Sequence, residues 1–123
     1  GHDRGKATMH TRGKGKAGEE LAIGYLLERG YTVVNQNFQT RHGEIDCIAR
    51  DPDGTLVFLE VKVSSTGRYG NPLFRVTAAK QRRIATMARL YCARNRIEGP
   101  VRLDVIAIHD GRIEHLKNAF FAG

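Results

Sequence analysis

Apolar residues alternate with other residues in two successive runs across residues 44–62, EIDCIARDPDGTLVFLEVK, and this period of two predicts a pair of strands. In the first run Ile45, Cys47 and Ala49 point one way, and Glu44, Asp46 and Ile48 the other. In the second, Val57, Leu59, Val61 and Val63 share a side, while Phe58, Glu60 and Lys62 share its opposite. Asp51-Pro52-Asp53-Gly54-Thr55 suits a three-residue loop, with Pro52 and Asp53 in a type I turn and Gly54 in the left-handed position. Such a loop pairs Asp51 with Thr55. Counting back sets Ala49 against Val57, Cys47 against Leu59 and Ile45 against Val61, which builds an apolar face. The same count sets Asp46 opposite Glu60 and Glu44 opposite Lys62. A four-residue loop would offset Asp46 from Glu60.

Around this hairpin the pattern predicts further elements. Leu21, Ala22, Tyr25 and Leu26 recur at helical spacing within residues 15–29, and Gly30 suits a C-terminal cap. Glu19 shares the apolar face of Ala22, Ile23 and Leu26, whereas Glu20 lies nearer its edge. Taken alone, Glu19 reads equally as a helix-start carboxylate at the positive end of the dipole. Residues 31–38 read as a strand and 67–72, GRYGNP, as a turn-rich loop. Residues 76–96 read as a helix with Ile84, Met87, Ala88 and Tyr91 on one side. Arg82, Arg89 and Arg96 form a basic stripe on the other, a pattern that also suits a solvated face. Residues 101–109 and 112–118 read as strands joined by an Asp110-Gly111 turn. Residues 1–14, GHDRGKATMHTRGK, are Gly-rich and basic, and are expected to form a disordered arm ahead of a single domain over 15–123.

At 123 residues the chain is long enough to bury a core, and 41% hydrophobic with 27% charged residues is ordinary for a globular protein. No run approaches the roughly 18 apolar residues of a membrane span, so no membrane partner is expected. Cys47 and Cys92 make neither a disulfide framework nor zinc-ligand spacing, and a bacterial-type cytoplasmic setting fits best. The net charge of +7 and a pI near 9.9 favour a polyanionic partner, most simply nucleic acid; the plainer alternative is a basic surface that aids solubility.

The charge changes how the hairpin reads. Side chains opposed across a ladder sit about 5 Å apart at Cβ. Two carboxylates there repel by about 3 kcal/mol at an effective dielectric near 20. A hard divalent cation, which prefers carboxylate and carbonyl oxygens, would neutralise the pair. Lys62, on the face of Glu60, would add positive charge beside the ion or move a reacting proton. The alternative is a solvent-facing sheet surface of mixed charge. Ile48 and Phe58 oppose it, because they share that face and need cover.

An Asp, a hairpin turn and then Glu-Val-Lys resembles the PD-(D/E)xK motif of restriction-endonuclease-like nucleases, with Asp46, Glu60 and Lys62 at the motif positions. GKAGEELA (15–22), RHGEIDCIA (41–49), VFLEVK (57–62), VTAAKQRRI (76–84) and RLDVIAI (102–108) together resemble the YraN-like family of bacterial proteins, over residues 15 to about 120. The resemblance implies an α/β fold: a mixed sheet flanked by helices, similar to archaeal Holliday-junction resolvases. It implies that Glu19 joins the site and that the Val61 carbonyl can ligate a metal. Relatives usually carry a cation two residues after the motif lysine; here that position is Ser64, which weakens one expected phosphate contact.

The expectation is therefore a Mg2+- or Mn2+-dependent endonuclease acting on DNA, branched or flapped, in repair or recombination. Asp46, Glu60 and Val61 would hold the metal, with Glu19 and Lys62 completing the catalytic set. Arg41, Arg68, Lys80, Arg82 and Arg83 are candidate phosphate contacts. Analogy with the resolvases alone suggests a homodimer. Two alternatives stay open: a nuclease-fold module that binds nucleic acid with little or no cleavage, and a scaffold that recruits a repair partner.

Overall fold

The computed structural model describes residues 9–64 and 77–119, with the backbone alone described for residues 9–15 and for Ser64. Along the chain run α1 (Met9–Glu28), β1 (Thr32–Thr40), β2 (Gly43–Arg50), β3 (Leu56–Ser64), α2 (Ala78–Arg94), β4 (Val101–His109) and β5 (Arg112–Leu116). The strands form one sheet in the order β1-β2-β3-β4-β5. Only β3 and β4 are parallel, joined by the segment that carries α2; the other neighbours are antiparallel. The result is a mixed, restriction-endonuclease-like α/β fold with one helix on each face of the sheet.

The two faces build two cores. On one, Ala22 and Leu26 of α1 pack with Cys47, Ala49, Val57, Leu59, Ile106 and Ile108. On the other, Ile84, Met87, Ala88 and Tyr91 of α2 pack with Ile48, Phe58, Leu103 and Val105, as their helical spacing predicts. Leu21, expected on the apolar face of α1, is 49% exposed. α1 also starts at Met9, well before residue 15. Glu19 therefore sits in the middle of a helix, and a helix-start role at the dipole does not apply.

Turn chemistry sets the frame. Gly30 ends α1 at φ +86, with the Tyr31 N–H donating back to the Leu26 carbonyl. In the hairpin, Asp51 N–H donates to the Thr55 carbonyl at 3.0 Å, Gly54 takes φ +90, and Asp51 Oδ1 accepts the N–H groups of Asp53 and Thr55. The expected register follows, with Cys47 on Leu59 and Ala49 on Val57. Asp110 and Gly111 both take positive φ, as a two-residue hairpin turn requires.

Two expectations fail where that register runs out. The β2–β3 ladder stops at Cys47 and Leu59, so neither Asp46 with Glu60 nor Glu44 with Lys62 forms a ladder pair. Ile45 also parts from Cys47 and Ala49 and packs in the α2-side core. The neighbouring strand is irregular as well: β1 shifts register between Val33 and Asn35, and Asn37, between the pairs Gln36–Cys47 and Phe38–Ile45, takes the left-handed φ of 56. The alternation of β2 slips at Asp46, between those same pairs.

Candidate active site

Beyond Cys47 strand β2 leaves β3, while β3 stays paired with β4 out to Ser64. The splay strips Val61 of a β2 backbone partner, and Asp46 fills the gap: its Oδ2 accepts the Val61 N–H at 2.8 Å. The aspartate is thus fixed against the segment Glu60-Val61-Lys62 by a side-chain bond and not by the ladder that spacing suggested.

Glu60 follows Phe58 on the α2 face and is 5% exposed. Its Oε2 receives Lys80 Nζ from α2 at 2.8 Å. Its Oε1 is buried and has no hydrogen-bond partner among the described residues. An orphaned carboxylate oxygen in a core normally costs kilocalories, so this atom points to a missing cation or donor.

Asp46 feels the same shortage of positive charge. Burial first, then the Glu60 charge, and then Glu19 and Glu44, push it up to about 7, against the pull of the Val61 N–H. Glu19, half-buried on α1, therefore lies close enough for its charge to act on Asp46. Cys47 is pushed up to about 12 by burial, with Asp46 adding to the effect, so it is a packed thiol and not a nucleophile. Lys62 is half-buried and drawn below the ordinary lysine range by desolvation and by the neighbouring Lys80 ammonium. Burial also pulls Lys80 down, but the bond and charge of Glu60 outweigh it and hold Lys80 high.

A cleft of about 250 Å³ opens over Asp46, Glu60 and Lys80, with His42 and Arg83 also in its lining. A larger cleft of about 510 Å³ holds Glu19 and Glu44 but does not reach Glu60. Glu44 lines both, so the catalytic candidates straddle the end of β2. Among the described residues no three His, Cys, Asp or Glu side chains converge as a ready ligand set. The donor set still suits a hard cation: two carboxylates in mutual repulsion, one oxygen without a partner, and an adjacent backbone carbonyl at Val61.

The candidate phosphate contacts divide. Arg41, Arg82 and Arg83 are exposed, whereas Lys80 is engaged with Glu60. Arg68 lies outside the described residues, and so does the side chain of Ser64. The stripe of Arg82, Arg89 and Arg96 is broken, because α2 ends at Arg94 and Arg96 takes φ 54 beyond the Asn95 cap.

A second polar cluster was not foreseen. Asp104 is fully buried on the α1 face in phase with Ile106 and Ile108, and Arg102 grips both its oxygens at 3.0–3.2 Å. Arg102 also reaches Asp51 at 2.9 Å and the Tyr31 hydroxyl at 2.8 Å. His115 Nε2 lies 2.8 Å from Asp104, and the Tyr25 hydroxyl 3.0 Å from His115 Nδ1. Burial alone would raise Asp104, but the bonds from His115, Arg102 and the Asn118 N–H hold it below the ordinary carboxylate range. An aspartate at a core-facing position of an apolar run was the readable signal, and the arginine two residues before it its natural partner.

Fold and site together define a restriction-endonuclease-like α/β protein with a carboxylate pair, met by one lysine, where the sheet splays. The chain belongs to the uncharacterised protein family UPF0102, whose model matches residues 18–108. It is 47% identical over 107 residues to a UPF0102 protein of Thermodesulfovibrio yellowstonii, covering 87% of this chain and 95% of that one. It is 46% identical over 118 residues to one of Symbiobacterium thermophilum, covering 91% and 99%. Among solved structures it is similar to SfsA of Pyrococcus furiosus in complex with Ca2+, at 15% identity and a TM-score of 0.36, covering 87% of this chain and 63% of that chain. No helix among the described residues is long and apolar enough to cross a membrane.

Proposed function

We propose that this chain is a divalent-metal-dependent endonuclease that hydrolyses phosphodiester bonds in DNA, branched or flapped, with Mg2+ or Mn2+ as the ion. The observation that carries the reading is Glu60 Oε1, buried and without a partner among the described residues, beside an Asp46 that is itself short of positive charge. Asp46, Glu60 and the Val61 carbonyl would hold the ion, with Glu19 close enough to orient a water. A bound ion supplies Lewis acidity toward the phosphodiester and makes water more acidic. Lys62 would set its amine against the negative charge that develops on the reacting phosphate. Arg41, Arg82 and Arg83 would hold the backbone without reading sequence.

The deciding experiment is a cleavage screen over single-stranded, duplex, flap and four-way DNA with Mg2+, Mn2+ or chelator. Cleavage that needs the ion and vanishes in Asp46→Asn supports the reading; ion-independent cleavage overturns it. One observation favours a second reading, a nuclease-fold module that binds DNA without cutting. Lys80 already balances the charge of Glu60, and no three-residue ligand set is assembled among the described residues. Binding without cleavage in every ion would select it.

A further inference from the structure

The N-terminus of α2 breaks a local rule. Thr77 caps it in extended geometry, its Oγ1 accepting the Lys80 N–H at 3.1 Å. The third position of such a turn favours Glu or Gln, and acidic groups are favoured throughout it because the helix dipole is positive there. Here that position is Lys80, and the first turn has no acidic residue. A lysine at odds with its helix needs a partner elsewhere. That partner is Glu60, a carboxylate 6% exposed at its side chain, at 2.8 Å.

The bond is incomplete in a telling way. Lys80 satisfies Oε2 only, and Oε1 stays buried without a partner. One ammonium balances the charge of Glu60 but satisfies only one of its oxygens, and Asp46 beside it, though it too feels Lys80, stays short of positive charge. A divalent ion carries twice the charge and accepts several oxygens at once. Lys80 is 32% exposed at its side chain and lines the same cleft as Arg83. An ammonium displaced from Glu60 stays at that cleft, where a phosphate would lie.

We propose that Lys80 is a positioning residue that stands in for the divalent ion on Glu60 and passes to the DNA backbone when the ion binds. The inference rests on the metal reading given above. It couples two events: the ion must displace a lysine, and the displaced lysine becomes a phosphate contact, so ion and DNA each tighten the binding of the other. Together with Lys62, which also feels both carboxylates, the lysine supplies countercharge to the ion-free pair.

The test is titration calorimetry with Mn2+ alone at pH 8 on the full chain, comparing wild type, Lys80→Met and Lys80→Arg. Met keeps the apolar stem and removes the competing charge. Lys80→Met should bind Mn2+ about tenfold more tightly, about 1.4 kcal/mol by the conversion of constants. Lys80→Arg, which retains the competing charge, should stay within about twofold of wild type. Anisotropy with a labelled four-way junction, in chelator and in Ca2+, supplies the second readout: the ion should tighten DNA binding several-fold in wild type and much less in Lys80→Met. Equal or weaker Mn2+ binding by Lys80→Met, with wild type binding normally, overturns the inference and leaves the metal reading standing. No Mn2+ binding by any of the three overturns both. If Lys80→Met does not fold, a Lys80→Arg constant more than about fivefold tighter than wild type also overturns it, since that side chain should still compete.

Discussion

Asp46 Oδ2 accepts the backbone N–H of Val61 at 2.8 Å, so the aspartate is bonded to the residue between Glu60 and Lys62. The bond separates two variants that both remove the charge. Asp46→Asn keeps a carbonyl acceptor for Val61, whereas Asp46→Ala strands that N–H at a cost of about 1–3 kcal/mol. In chelator at pH 8, Asp46→Asn should be more stable than wild type by about 1 kcal/mol, since one of two repelling charges is gone and partial exposure screens the gain. Asp46→Ala should lie below Asp46→Asn by the stranded bond. Added Mg2+ should stabilise wild type alone. Urea melts showing Asp46→Asn clearly less stable than wild type in chelator would remove the charge argument.

The same aspartate gives a pH signature of unusual sign for a carboxyl. The folded chain holds its proton up to about 7, while the unfolded chain releases it near 3.8. Folding thus takes up a proton between those values. The contribution to stability is fully present below about pH 4 and is lost as pH rises through about 7. Asparagine does not titrate, so the stability of Asp46→Asn relative to wild type should improve from pH 5 to about pH 7 and level off by pH 8. A difference that stays constant over that range contradicts the raised aspartate.

Gly18 shows how α1 comes close enough to bring Glu19 near Asp46. A Cβ at Gly18 would overlap Val63 Cγ2 on β3. Alanine in mid-helix normally stabilises by about 1 kcal/mol over glycine, but here the overlap should reverse the sign and cost about 1 kcal/mol. Gly24, also in α1, has nothing near its missing Cβ and should show the ordinary gain on Gly24→Ala. Adding Val63→Ala to Gly18→Ala should recover the loss, which a double-mutant cycle in urea would measure. Stabilisation by both glycine substitutions would mean that the helix does not need that approach.

What was legible in the chain was local. Asp51 to Thr55 carry their own turn chemistry, so the hairpin register follows from five residues; likewise Gly30 and the Asp110-Gly111 pair mark their turns without reference to the rest. Periodicity sufficed for α2 because Ile84, Met87, Ala88 and Tyr91 all meet one sheet face. The failures were set at a distance. Ile45 changes side where the neighbouring strand is irregular at Asn37, and the bond from Lys80 to Glu60 spans twenty positions that no spacing rule connects. Residues ahead of Lys16 carry no apolar period, so the helical start at Met9 left no trace in the pattern. Asp104 was visible as a charge in an apolar run, yet its partner His115 comes from another strand, and Arg102, which grips it, is held in turn by the distant Tyr31 and Asp51.

That cluster predicts a large structural penalty far from the chemistry. Arg102→Met would leave the fully buried Asp104 with His115 and one backbone N–H, and Asp51 without its guanidinium. Breaking a buried pair from one side costs about 3–5 kcal/mol. Urea unfolding should show a loss of that size. Mn2+ binding by the folded fraction should be unchanged, because none of these groups borders the Glu60 cleft. A loss below about 1 kcal/mol would show that water satisfies Asp104 as well as arginine does.

The DNA reading makes a last demand on the exposed cations. A chain with net charge +7 that neutralises phosphates releases counterions, so its affinity for a four-way junction should fall steeply as salt rises. Arg82 and Arg83 are exposed on the first turns of α2, and Arg83 borders the cleft with Asp46 and Glu60. If the backbone lies across that cleft, Arg83→Ala should weaken binding for all sequences alike and reduce the slope of log affinity against log salt by about 1. Arg89 stands two turns further along the helix and bonds Thr86 at 3.3 Å; its replacement should leave the slope unchanged. The contrast matters more than either result. A general basic surface would respond equally to the loss of any arginine, whereas a strand of DNA held over the carboxylates must feel Arg83 first. Equal slopes for wild type, Arg83→Ala and Arg89→Ala, measured by anisotropy between low and physiological salt, would move the DNA off this cleft.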